Sequence, residues 1–177
     1  MIITISGPSG SGKSTVANAL AEKLGIPAVD VGSVFREEAT RHHMDIVEFS
    51  DYRLKHPEID RRIDDAVIAK CQETDGCVLQ GRLSAWMTKQ KGIKAVRVWI
   101  DASPEVRAAR IVKREGGDPA TALAAIKHRD DNDWRNYRDT YGIDLNDLSV
   151  YDTVVPTDNR SVEQVVSFLL SEIQKYG

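Results

Sequence analysis

A glycine-rich run near the start, Gly7-Pro8-Ser9-Gly10-Ser11-Gly12-Lys13-Ser14-Thr15, constrains the fold of this chain more than any other feature. It fits G-x-x-x-x-G-K-[ST], and its surroundings fit as well. Met1 to Ser6 is a β-branched run that stops at Gly7-Pro8. After the loop, Val16, Ala19, Leu20 and Leu24 form the stripe of an amphipathic helix closed by Gly25. A strand that feeds a helix through such a turn lets successive backbone N–H groups converge on one anion, with no Cβ atoms in the way. The helix N-terminus adds partial positive charge, Lys13 adds a full one, and Ser14 offers a hydroxyl to Mg²⁺. Gly7, Pro8, Ser9, Gly10, Ser11, Gly12, Lys13, Ser14 and Thr15 are therefore the candidate contacts of a nucleoside triphosphate.

Beyond the loop, strand-like and helix-like patterns alternate, which predicts an α/β fold with a mainly parallel sheet. Short strands are expected over Pro27 to Asp30 and Cys77 to Gln80, a clear one over Ala95 to Asp101, and a last one over about Thr153 to Pro156. Ser103-Pro104-Glu105 gives the N-cap, first-turn proline and early acid of a helix. Val162, Val165, Val166, Leu169, Leu170 and Ile173 mark the core face of a final helix. Two polar stretches interrupt the alternation. Residues 33–72 read as short helices broken at His56-Pro57, and residues 107–145 carry six arginines around a Gly116-Gly117 break. Neither is apolar enough to form a domain of its own. They are expected to be mobile lobes on one core made of residues 1–32, 73–106 and 146–177.

At 177 residues the chain has the size of a single domain, and 41% hydrophobic with 29% charged residues is a globular balance. A net charge of −3 argues against a protein that wraps nucleic acid. No run of 18 apolar residues occurs, and Met1 to Ser6 has neither the basic segment nor the apolar length of a secretion signal. A cytoplasmic protein with no membrane partner is expected. Cys71 and Cys77 show no metal spacing and read as buried reduced thiols, not a disulfide framework. His42, His43, His56 and His128 lack ligand spacing.

The arginines suit chemistry that handles phosphate charge. Arg107, Arg110 and Arg114 fall at i, i+3 and i+7 on one helix face. Arg129, Asp133 and Asn136 share another face, and Arg135 with Arg138 a third. Such a set could close over a triphosphate and exclude water, with Arg107 bracing the helix. Alternatively, it could form a solvated charged surface. Arg82, just past a strand end in Gln80-Gly81-Arg82, and Arg36, after Asp30-Val31-Gly32-Ser33, lie where open α/β sheets bind ligands, and either could grip a second phosphate.

The stretches ITISGPSGSGKSTVANALAEKLGIP, DVGSVFREEA, HPEIDRRID, GRLSAWM, WIDASPEVRAARIVKREG and YRDTYGIDLNDLSVYD together resemble nucleoside monophosphate kinases, and more narrowly the archaeal-type cytidylate kinases. They cover nearly the whole chain. The resemblance implies a P-loop core with a five-stranded parallel sheet of order 2-3-1-4-5, helices on both faces, an NMP-binding insert and a lid. It implies transfer from Mg-ATP to CMP or dCMP, by a monomer. Carried over by position, Gly7 to Thr15 bind ATP, and Lys13, Arg110, Arg114 and Arg129 serve the transferred phosphoryl group. Asp30, Ser33, Arg36, Arg82, Arg129 and Asp133 contact CMP, and Ser14 meets the metal.

Three positions depart from the family pattern. Gln80 stands where relatives carry an acid that orders magnesium waters, and Ser33 replaces another acid, so Asp30 or Asp101 would have to compensate. Arginine is usual where this chain has Asn136, with Arg135 one place earlier. Two other readings stay open: a kinase for another small acceptor, which for a hydroxyl would need a base such as Asp30, and a non-catalytic ATP-binding module.

Overall fold

The computed structural model describes residues 1–45, 48–49, 52–53 and 55–176. In chain order the elements are β1 (Ile2–Ser6), α1 (Lys13–Leu24), β2 (Ala28–Asp30), α2 (Val31–Arg41), α3 (Pro57–Gln72), β3 (Cys77–Gln80) and α4 (Ser84–Gln90). They continue with β4 (Ala95–Asp101), α5 (Pro104–Glu115), α6 (Pro119–Tyr141), β5 (Thr153–Pro156) and α7 (Val162–Ile173). All strand pairs are parallel and the order is β2-β3-β1-β4-β5, as the resemblance implies.

Every residue of β1 is buried, which explains why it reads as an unbroken apolar run with no alternation. Its residues still divide between two faces. Ile3 and Ile5 join Val98 and Ile100 against Val16 and Leu20 of α1 and Val165 and Leu169 of α7. Ile2 joins Leu79 against Val34 of α2, Ile63 and Val67 of α3, and Met87 of α4. β1 is the middle strand, so the glycine-rich loop leaves the centre of the sheet's carboxyl edge, where the strand order reverses and ligands bind in open α/β folds.

Local signals set the helix ends. The Val106 N–H donates to Ser103 Oγ at 3.4 Å, with Pro104 opening α5. A capping box of Ser161 and Gln164 starts α7. The break expected at His56-Pro57 is the start of α3. Residues 46, 47, 50, 51 and 54 of the same stretch, and Gly177, lie outside the described residues. Helix α4 was not anticipated, because seven residues are too few to display a period.

One expectation is corrected. Cys71, at the end of α3, and Cys77, at the start of β3, are joined by a disulfide with Cα atoms 5.2 Å apart, where reduced thiols were expected. Sequence spacing carries no distance. The turn over residues 73–76 folds the strand back beneath the last helical turn and brings the two side chains together. Among the described residues no helix is long and apolar enough to cross a membrane.

Leu169 is fully buried between α7 and the sheet. Leu169→Ala should cost about 2–5 kcal/mol in chemical denaturation. A loss below about 1 kcal/mol would mean that α7 does not hold the core.

Candidate active site

The glycine-rich loop takes its shape from close packing. A Cβ on Gly7 would sit 2.4 Å from the carbonyl oxygen of Ile100, so only glycine lets the loop lie against β4. Gly12 caps α1 at φ 92°, a left-handed conformation that points the chain into the helix. The first intrahelical hydrogen bond runs from Val16 N–H to Gly12 at 3.0 Å. The N–H groups of Lys13, Ser14 and Thr15 are thus left without intrahelical acceptors, and these residues line a cleft.

This cleft, of about 1120 Å³, is lined by the loop, the carboxyl end of β2, the segment just after β3, and parts of α1 to α7. Among the described residues its wall holds eight basic side chains (Lys13, Arg36, Arg53, Arg82, Arg110, Arg114, Arg129 and Arg160) against three acidic ones, Asp30, Asp64 and Asp133. That concentration in a protein of net charge −3 marks a site for an anion. Lys13 registers the field. Burial, followed by the charges of Arg82 and Arg129, pushes its pKa down to about 8, with Asp30 opposing and Arg107 adding to the fall. Its ammonium donates to the loop's own Pro8 carbonyl at 3.1 Å.

On one side of the cleft, Asp30 caps α2 by accepting from the Gly32 N–H at 3.0 Å, and its other oxygen takes Arg36 at 3.2 Å. Asp30 also lies beside Gln80 across the β2–β3 pair. The Gln80 Oε1 is buried and without a partner among the described residues. The Ser33 hydroxyl donates to the Asp30 carbonyl at 2.7 Å, and Ser33 does not line the cleft; nor does Asp101. Arg82 is ion-paired with Asp133. Burial lowers its pKa from the ordinary guanidinium range, with Tyr137 opposing the shift and Arg129 contributing to it.

On the other side stand α5 and α6. The three α5 arginines follow one face but differ in role. Arg107 is buried, with Nε donating to the Ala102 carbonyl at 3.1 Å and Nη1 to the Ser9 carbonyl at 3.2 Å. The same guanidinium holds both oxygens of Asp130, at 3.1 and 2.6 Å. Arg110 lies over the loop and donates to the Ser11 carbonyl at 2.9 Å and to the Thr157 hydroxyl and carbonyl at 3.1 and 2.8 Å. Arg114 is exposed and pairs with Glu115. On α6, Arg129 and Asp133 face the cleft, whereas Arg135 is exposed outside it and Arg138 covers the Trp134 ring at 4.4 Å.

The cleft therefore gathers Lys13, Ser14, Asp30, Arg36, Arg82, Arg110, Arg114, Arg129 and Asp133, and leaves Ser33 aside. Gly7 and Pro8 form the loop's outer side, in a smaller cavity with Trp99 and Trp134. Thr157 and Arg160 were missed by sequence reading. Their signal is position, since Pro156 ends β5 and the following loop emerges at the same carboxyl edge.

Residues 2–159 match the cytidylate kinase-like family. The chain belongs to that family. It is 40% identical to the cytidylate kinase of Archaeoglobus fulgidus over 98% of this chain and 95% of that one. Identity to the cytidylate kinase of Methanocaldococcus jannaschii is 42%, over 98% and 97% of the two chains. Among solved structures, an uncharacterised protein from Eubacterium ventriosum superposes with a TM-score of 0.74 at 22% identity, covering 98% of both chains. Shikimate kinase from Bacteroides thetaiotaomicron gives 0.63 at 18% identity, also over 98% of both. These two likenesses show the P-loop kinase fold.

The depressed Lys13 pKa has a measurable consequence. Phosphate oxygens bind the ammonium form, so triphosphate affinity should be full below about pH 8 and fall above it, by up to about tenfold per pH unit. Calorimetry of ATP binding in buffers of different ionisation enthalpy should show proton uptake near pH 8.5. Affinity that is flat from pH 7 to 9.5 would contradict this.

Proposed function

We propose that this chain transfers the γ-phosphoryl group of ATP to CMP or dCMP, giving ADP and CDP or dCDP. Family membership supports this reading, and one observation carries it: the cleft pairs a triphosphate loop with two further arginines, Arg36 and Arg82, at the neighbouring strand ends. A neutral alcohol acceptor would have no use for that second pair of cations. A nucleoside monophosphate brings the dianion that would.

The loop from Gly7 to Thr15 wraps the donor phosphates with its N–H groups, and Lys13 meets the β- and γ-phosphates. The Arg110 donors already hold carbonyls of Ser11 and Thr157. Two of its five N–H groups remain, and these meet the donor phosphates. Arg36 and Arg82 take the acceptor phosphate in exchange for their carboxylates, and the released Asp133, with Arg129, turns to the sugar and base. An acceptor phosphate oxygen then bonds to the γ-phosphorus as the bond to the ADP oxygen breaks, and that oxygen keeps the electron pair. The acceptor oxygen is already ionised at neutral pH, so no side chain need remove a proton. Lys13, Arg129 and the exposed Arg114 meet the charge spread over the moving phosphoryl group, and the α5–α6 pair acts as the lid that keeps water out. Residues around α2 and α3 form the acceptor-binding insert.

Magnesium fits the donor set, because this ion keeps most of its waters and needs few protein oxygens. Ser14 would hold it directly. The Gln80 Oε1 would accept from one of its waters, and Asp30 alongside supplies the negative charge that Gln80 lacks. When bound, the ion would neutralise charge on the donor phosphates. On this reading the protein acts as a monomer in the cytoplasm.

Purified protein with Mg-ATP should phosphorylate CMP well ahead of UMP, AMP and shikimate. Tight ATP binding with no transfer to any acceptor, at high magnesium, would favour a non-catalytic module instead. Lys13→Ala should lower kcat/KM at least about a hundredfold. Arg82→Ala should raise the KM for CMP at least about tenfold while leaving that for ATP within about threefold, because it removes a charged contact to the acceptor alone. An unchanged CMP response would move the acceptor site elsewhere.

A further inference from the structure

One turn of α6 touches both halves of the site. Arg129 faces the cleft, Asp130 grips Arg107 beneath the donor loop, and Asp133 pairs with Arg82 at the acceptor side. Elsewhere α6 packs along α5, with Ile126 as its buried residue. At this turn the ion pairs tie the helix to both halves of the site.

The two pairs differ in kind. Arg82–Asp133 is exchangeable, because an acceptor phosphate competes for the same guanidinium. Arg107–Asp130 is not exposed to substrate in that way. Arg107 keeps 4% of its surface, holds Asp130 with two parallel hydrogen bonds, and donates to Ala102 and Ser9 as well. Ser9 belongs to the donor loop. The α5 backbone at Arg107 also touches that loop: a Cβ on Gly10 would meet the Arg107 Cβ at 3.1 Å and its carbonyl oxygen at 3.2 Å. A shift of α6 is thus passed to the donor loop through one side chain.

We infer that Asp130 and Arg107 are positioning residues that couple the two nucleotide sites. When the acceptor phosphate takes Arg82, Asp133 is released and α6 turns about the Asp130–Arg107 pair. Arg107, holding the Ser9 carbonyl, then sets the donor-loop N–H groups around the triphosphate. CMP binding thereby tightens ATP binding, and the converse follows by linkage. This inference rests on the proposed CMP kinase reading.

Titration calorimetry with magnesium and a non-hydrolysable ATP analogue, with and without saturating CMP, tests it. In the unaltered protein CMP should tighten the analogue at least about fivefold. Asp130→Asn, which keeps the shape and removes the charge, should bring that ratio to within about twofold of unity while CMP affinity alone changes less than about twofold. Arg107→Lys, which cannot form the two-pronged pair, should do the same, and the double variant should be no worse than Arg107→Lys alone. Circular dichroism and thermal melting establish that each variant is folded, and the lysine variant serves if the asparagine variant is not. Retained coupling in a folded variant, additive effects in the double variant, or no coupling in the unaltered protein would overturn the inference. An unaltered protein that neither binds nor phosphorylates CMP would instead defeat the reading beneath it.

Discussion

Positive charge held close together governs this molecule. Burial, followed by the guanidinium groups of Arg82 and Arg129 crowded around it, makes the Lys13 ammonium give up its proton more readily than an exposed lysine. The fold tolerates the crowding because carboxylates are interleaved with the cations. Asp30 takes Arg36, Asp133 takes Arg82, and Asp130 takes Arg107. Where the pair lies at the cleft surface, a phosphate can replace the carboxylate. Where it lies beneath the loop, the carboxylate stays. Depth thus distinguishes Arg36 and Arg82, which line the cleft, from Arg107, which does not, although their chemistry is identical.

The sheet makes this arrangement possible. With β1 in the middle, the loop after it, the β2 and β3 ends and the loop after β5 all open on one edge. Asp30, Gln80 and Arg82 meet there because β2 and β3 are paired in register, Asp30 opposite Gln80. Residues 50 positions apart in the chain become neighbours through strand register alone. The disulfide between Cys71 and Cys77 fixes the other end of the same strand to α3.

Much of this could be read from the chain before any coordinates. The strand–loop–helix at residues 1–24 was legible because glycine spacing, β-branching and helical period agree there. The strands Cys77–Gln80 and Ala95–Asp101 stood out as short apolar runs with clear boundaries. Signals failed where a property depends on contact between distant segments. Neither the helix at Ser84–Gln90 nor the disulfide leaves a periodic trace. The stripe of Arg107, Arg110 and Arg114 was visible, but its gradient from buried to exposed was not, since it depends on how far each residue lies from the loop.

Arg107 shows why residue type alone misleads. In the sequence it shares a helix face with Arg110 and Arg114, where it could brace the helix and nothing shows what it would hold. In the fold every donor direction it uses ends on protein oxygen, and burial raises the stakes of each. Removing Asp130 would strand a buried charge, whereas removing Glu115 from beside the exposed Arg114 would strand none. Four of its five N–H groups are so engaged, and the one that holds the Ser9 carbonyl orients, through the planar peptide, the next N–H of the loop. On the inference drawn above, its influence on the donor nucleotide runs through the backbone at Ser9, beside the charge that adds to the fall in the Lys13 pKa.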